Sequence, residues 1–234
     1  MEIAEVLKRI EKRGLFKSIV RHDYLNYDIN KSLKVIESIG KSRTPTFTID
    51  NENRFVYGSL IRWIHGDPQL KALHPVTKKT IPGRLDAGIY IAGGTGTGKS
   101  WALDIASAYV AIYNLMVNIG GKDITLRWDN VRTDDVCNEY AVTGDLHKYK
   151  VKSVIGLQDL GAEQPESLYM GNRLKPLQQI LEYRGDRTDL ITLISTNLPM
   201  NHESITDRYG DRVASRLNEM CNYYELKGKD RRKI

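Results

Sequence analysis

The octet GGTGTGKS, Gly93 to Ser100, matches the spacing G-x-x-x-x-G-K-[ST] in full and constrains this 234-residue chain more than any other stretch. It follows GIYIAG at 88–93, a short and nearly continuous apolar run, as expected for a strand covered on both faces. It opens SWALDIASAYVAIYNLM, which reads as a helix. A strand, a glycine loop and a helix in that order are the context in which the motif has a mechanism. Glycines let the loop turn its N–H groups inward around phosphate oxygens. The new helix aims its positive end at the same anion. Lys99 then reaches the β- and γ-phosphates, and the Ser100 hydroxyl ligates magnesium. The expected nucleotide-binding residues are Gly93, Gly94, Thr95, Gly96, Thr97, Gly98, Lys99 and Ser100, with Trp101 following them.

Beyond the loop, strands and helices alternate. ITLRW reads as a strand, and TDDVCNEYAV as a helix with Thr133 as N-cap and Asp134 and Asp135 in its first turn. VKSVIGL is a strand, NRLKPLQQILEYRG largely helix, DLITLIST a strand, DRVASRLNEMC a helix and NYYEL a last strand. This order predicts an α/β fold of three layers, a central parallel sheet wrapped by right-handed crossovers. The strand at 151–157 is expected beside the strand that leads into the glycine loop. Upstream, RFVYGSLIRWIHG reads as a helix stopped by Gly66. The polar stretch KSRTPTFTIDNEN contains Pro45 and reads as a linker, which divides a helical segment, 1–49, from the main domain, 50–234. In the first segment Ile3, Val6, Leu7 and Ile10 make one helical stripe that Gly14 can stop, and SLKVIESIG makes a second helix ending at Gly40. The segment is too small for a large core and reads as a docking appendage.

The formal charge of +6 favours an anionic partner such as nucleic acid. Cys137 and Cys221 lack metal-ligand spacing and read as reduced, buried thiols of a cytoplasmic protein. No apolar run approaches the ~20 residues of a membrane span, and the charged N-terminus lacks the apolar core of a signal peptide.

The stretch GLQDLGAEQ, 156–164, puts an amide where a carboxylate is expected. An apolar run ending in two acids suits a site that holds magnesium and aims water. Two registers are open. In one, Asp159 is the magnesium-side acid and Glu163 helps the water. In the other, Gln158 takes the magnesium-side place, hydrogen-bonding a metal-bound water, and Asp159 is the base.

With LQDLGAEQ, LISTNLPM and RYGDRVASRLNEMCNYYELKGKDRR beside the glycine loop, the chain resembles the DnaC/DnaI-type helicase loaders of the AAA+ ATPases and the related IstB-type transposition ATPases. The resemblance covers roughly residues 50–234. It implies a P-loop fold of AAA+ type without a C-terminal helical lid, ATP and Mg2+ as cofactors, and ATP hydrolysis. The family has two acids before LGAE, which aligns Gln158 with the first and Asp159 with the second and favours the second register. It puts full-rate hydrolysis in question and leaves a non-hydrolysing binding module open. It also implies that Asn197, in STN, senses the γ-phosphate. Arg216 would act in a neighbour's site, which implies head-to-tail assembly in a ring or spiral. On spacing alone, the favoured reading of Arg216 is a surface ion pair with Asp211 or Glu219, and the resemblance reverses that preference.

The loader resemblance further implies a replicative hexameric helicase and single-stranded DNA as partners. Candidate DNA contacts are Arg132 in RWDNVRTDD, and Lys148, Tyr149 and Lys150 in HKYKVK, where cations would meet phosphates and Tyr149 or Trp128 would stack on bases. Ile3, Leu7, Ile10 and Leu15 would face either a helicase subunit or the main domain.

Overall fold

The described residues of the computed structural model, 3–12, 18–21 and 26–231, follow the alternation read from the sequence. The first half comprises α1 (Ile3–Lys12), β1 (Ile19–Arg21), α2 (Ile29–Arg43), α3 (Arg54–His65), β2 (Lys71–Leu73), β3 (Thr80–Pro82), β4 (Gly88–Gly93), α4 (Lys99–Tyr113), β5 (Met116–Ile119) and β6 (Lys122–Thr125). The second comprises β7 (Asn130–Arg132), α5 (Thr133–Thr143), α6 (His147–Val151), β8 (Val154–Leu160), β9 (Ser167–Tyr169), β10 (Asn172–Leu174), α7 (Pro176–Gly185), β11 (Ile191–Thr196), α8 (Glu203–Tyr209), α9 (Asp211–Met220) and β12 (Cys221–Leu226).

Seven strands form the main sheet in the order β3-β2-β12-β4-β11-β8-β7. The five from β12 to β7 are parallel, and β2 and β3 add an antiparallel edge. The strand order corrects one expectation: β8 is not beside β4, because β11 lies between them. All six residues of β11 are buried and none is charged. Such a strand needs neighbours on both edges and cover on both faces. Strand β8 ends in the half-buried Gln158 and Asp159 and sits one place further out.

Successive residues of a strand point to opposite faces, and each face is packed by helices. Ile89 and Ile91 join one hydrophobic cluster with α2, α3 and α4, while Tyr90 and Ala92 join a second with α5, α7, α8 and α9. The result is three layers, α/β/α. Leu33 and Ile36 of α2 lie in the first cluster, so this part of the N-terminal segment shares its core with α3 and α4. Helix α2 does not stop at Gly40 but runs on to Arg43. A Cβ at Gly40 would sit 2.1 Å from the Phe47 ring, so glycine there serves a close approach rather than a stop. The Gly14 stop and Leu15 lie outside the described residues, as do the side chains of Leu7 and Ile10.

Short local structures depart from the expected elements. Strand β6 ends at Thr125, and Trp128 is buried in the first cluster, out of reach of any base. Residues 172–174 pair with 167–169 as a hairpin rather than starting a helix. Helix α8 was not foreseen. Among the described residues no helix is long and apolar enough to cross a membrane.

Candidate functional site

The loop between β4 and α4 is built on backbone conformations that glycine tolerates best. Gly96 and Gly98 have φ of 79° and 92°. Gly98 stands at the N-cap of α4 and has no side chain of its own to bond the leading N–H groups of that helix. A Cβ at Gly98 would meet nothing within 4 Å, so the loop faces open space there. The Thr97 hydroxyl donates to Gly94 O at 2.9 Å, and the buried Lys99 donates from Nζ to the same oxygen at 2.7 Å. Trp101 packs elsewhere: its ring stacks on Phe47 at 6.5 Å and lies under the Arg43 guanidinium at 5.1 Å.

At the helix end of this loop, three elements converge. Ser100 Oγ donates to Asp159 Oδ1 at 3.0 Å and lies 3.0 Å from Ser195 Oγ. Ser195, buried on β11, also accepts from the Asp159 N–H at 3.2 Å. Asp159 reaches this position through an irregularity in β8. Ile194 pairs with Leu157, but Thr196 pairs with Leu160, so β8 holds one extra residue there. Asp159 itself has φ 58°. A bulge re-aims side chains at a strand end, and here it places Asp159 beside Ser100. Thr133 Oγ1 donates to Asp159 O at 3.0 Å, and Arg132 Nη1 lies 3.4 Å from Asp159 Oδ2. Thr133 is therefore not the N-cap of α5; Arg132 holds that position, and the threonine hydroxyl is used across the sheet edge.

Gln158 turns elsewhere. Its Nε2 donates to Asp104 Oδ1 at 2.7 Å and to Ser100 O at 3.2 Å. Both oxygens of the buried Glu163 are engaged. Oε2 accepts from the Gly161 N–H at 2.8 Å, while Oε1 accepts from Arg208 Nε at 3.1 Å and from the Tyr209 hydroxyl. Glu163 thereby ties the turn after β8 to α8.

Asn197 is exposed just past β11, where the neighbouring Thr196 hydroxyl accepts from the Leu198 N–H at 3.0 Å. Arg216, on α9, pairs with Asp186 at 2.9 Å and Glu219 at 2.8 Å; Arg212 pairs with Asp186, and Asp211 is not the partner. The expected DNA contacts do not form one patch of free groups. Tyr149 is 6% exposed and its hydroxyl donates to Glu139 at 2.7 Å, so its ring is not available for stacking. Lys148 pairs with Glu139 at 2.5 Å, and Lys150 donates to Gln179 at 3.0 Å. Arg132 forks onto Asp134 at 3.0 and 3.2 Å, beside the Ser100 cluster. Sequence reasoning missed Ser195 and Asp104. Ser195 is one of three hydroxyl residues in β11, beside Thr192 and Thr196, so nothing local singled it out; the signal for Asp104 was an acid one turn after Ser100.

A second polar feature touches the loop. Residues past β12 cross it: the Arg231 N–H donates to Gly96 O at 3.0 Å, and the Arg231 guanidinium pairs with Asp50 at 2.7 Å and Glu52 at 3.2 Å.

No family profile and no curated protein matches the chain. Solved structures do. One is a candidate primosome component from Streptococcus pyogenes serotype M3, 16% identical, with 80% of this chain and 87% of that chain covered and a TM-score of 0.53. Another is the DnaC helicase loader, 14% identical, with 79% and 95% covered and a TM-score of 0.50. At such identities the likeness is one of fold. With the strand order and the glycine loop, it makes this chain similar to a DnaC-like protein and identifies its fold as a P-loop fold of AAA+ type.

Proposed function

We propose that the chain is an ATP-switched replication protein of the helicase-loader kind, with slow hydrolysis. One observation carries the reading: Ser100, Ser195 and Asp159 meet at 3.0–3.2 Å at the helix end of an open glycine loop. The inward N–H groups of Gly93–Ser100 would hold the phosphates of ATP. Lys99 would exchange Gly94 O for the β- and γ-phosphates. The Ser100 hydroxyl and the Asp159 carboxylate are hard oxygen donors, as magnesium prefers. Bound magnesium would neutralise charge on the β- and γ-phosphates.

The contact of Asp159 with Ser100 supports the register in which Asp159 is the magnesium-side acid. That leaves water to be positioned without a second carboxylate, since Glu163 is spent on Gly161, Arg208 and Tyr209. Asn197, uncharged and exposed at the end of β11, takes the γ-phosphate-sensing place. Slow turnover follows from this division of roles. Arg216, held in the single chain by Asp186 and Glu219, would exchange them for a neighbour's phosphates in a head-to-tail assembly. The likeness in fold to the DnaC helicase loader supports a helicase as partner, and the motif resemblance adds that the helicase is hexameric and that single-stranded DNA is bound.

The test is calorimetric titration of the purified chain with ATP and Mg2+, followed by steady-state turnover with and without single-stranded DNA. Binding that Lys99→Ala abolishes while the variant stays folded is the expected result. A wild-type chain without affinity for ATP would overturn the reading. The commitment of Gln158 to Asp104 favours one second reading, a binding module with no hydrolysis at all; measurable wild-type turnover eliminates it.

A further inference from the structure

The two unusual residues of β8, Gly156 and Gln158, are two apart and share the face toward α4. Glycine at 156 makes room for a neighbour. A Cβ there would lie 2.0 Å from Asn130 Oδ1 and 3.2 Å from the Trp128 ring. Asn130 therefore lies across Gly156. Its Oδ1 accepts from Trp128 Nε1 at 3.1 Å, which leaves the amide nitrogen to donate to Asp104 Oδ1 at 2.8 Å. The same carboxylate oxygen accepts from Gln158 Nε2 at 2.7 Å. The other oxygen lies 3.6 Å from the Arg43 guanidinium, which is itself well exposed. Asp104 is half-buried, and an ionised carboxylate only accepts hydrogen bonds. Amides at 130 and 158 are what it requires. A carboxylate at 158 would set two acceptors face to face.

We infer that Asp104 is a positioning residue that acts through Gln158. The amide anchored on Asp104 also donates to Ser100 O, the backbone of the residue whose hydroxyl meets Asp159. Asp104 touches neither nucleotide nor metal in this account. It holds the strand end and the first turn of α4 in register, so that the Ser100 hydroxyl faces Asp159. The functional half of the inference rests on the ATP reading above; the pairing of 104 with 158 does not.

The experiment is a double-mutant cycle on the full chain with isosteric changes: Gln158→Glu, Asp104→Asn and both together. Two quantities are read: the unfolding temperature without nucleotide, and the Mg2+ dependence of ATP affinity. Gln158→Glu alone is expected to lower Tm by about 4 °C or more. It should weaken the Mg2+ dependence about tenfold by shifting Ser100. The double variant, with donor and acceptor exchanged, should be more stable than Gln158→Glu alone, while its Mg2+ dependence stays weak because a glutamate at 158 has no N–H for Ser100 O. Additive losses in Tm, or a Gln158→Glu variant with unchanged Tm and stronger Mg2+ dependence, would overturn the inference. A wild-type chain that binds no ATP would sink the function proposed above, while the Tm cycle would still decide the pairing.

Discussion

The two ends of β11 carry polar clusters of opposite character. At its start, Thr192 Oγ1 accepts from Arg184 Nε at 2.8 Å. Arg184 is 0% exposed, and its other nitrogens donate to the carbonyls of Tyr149, Lys150, Lys152 and Ile191 at 2.7–3.2 Å. Burial pushes the guanidinium pKa down to about 10, so it stays charged at neutral pH. Carbonyls at the end of α6 compensate that charge. At the other end of the strand, Ser195 meets Ser100 and Asp159, both half-buried and beside an open loop. A saturated polar cluster leaves nothing for a ligand and holds the fold. A cluster left partly open, next to uncapped N–H groups, has capacity to bind.

The largest expected effect separates the two. Arg184→Met strands several buried carbonyls and should cost about 3–5 kcal/mol, measured by chemical denaturation, with ATP affinity unchanged under conditions where the variant is folded. If its ATP affinity falls as much as its stability, the division between the two ends fails. Ser195→Ala should do the reverse, lowering Mg2+-dependent ATP affinity about tenfold while costing about 1 kcal/mol or less of stability. Tyr149→Phe should cost about 1 kcal/mol and leave single-stranded DNA binding unaltered, since the ring is buried; weaker DNA binding in gel shifts would reopen Tyr149 as a contact.

Smaller effects concern titration. The Arg231 hydrogen bond holds the Asp50 carboxyl below its usual value. A depressed carboxyl contributes stability that is whole above its unfolded value, about pH 4, and is lost as pH falls through the folded one. Residues 227–231 should therefore become more open to protease below about pH 4, and a rate without such a rise would argue against the Arg231 latch. Burial pushes the Cys137 thiol up to about 11 and Cys221 up to about 12. At pH 8 the thiolate of Cys137 is then on the order of a thousandth, so alkylation should await unfolding.

Much of this was legible in the chain itself. The strand into Gly93, the helix from Lys99 and the loop between them are contiguous, and their chemistry depends on residues a few places apart. The burial of Cys137 and Cys221 was legible too, from two apolar thiols without metal-ligand spacing. What was not legible depends on neighbours remote in sequence. The apolar strand 191–196 could be read, but not its insertion between β4 and β8, which brings Ser195 to Ser100. The bulge that turns Asp159 toward Ser100 leaves no periodic signature. Tyr149 looked like a basic-patch aromatic because its partner, Glu139, lies ten residues away on another helix.

The sequence by itself determined a phosphate loop and the alternation of an α/β sheet, because local spacing and hydrophobic period specify both. Only the tertiary structure decided which carboxylate faces the loop serine and which amide is taken by Asp104, because strand order and one extra residue in β8 set where each side chain lands.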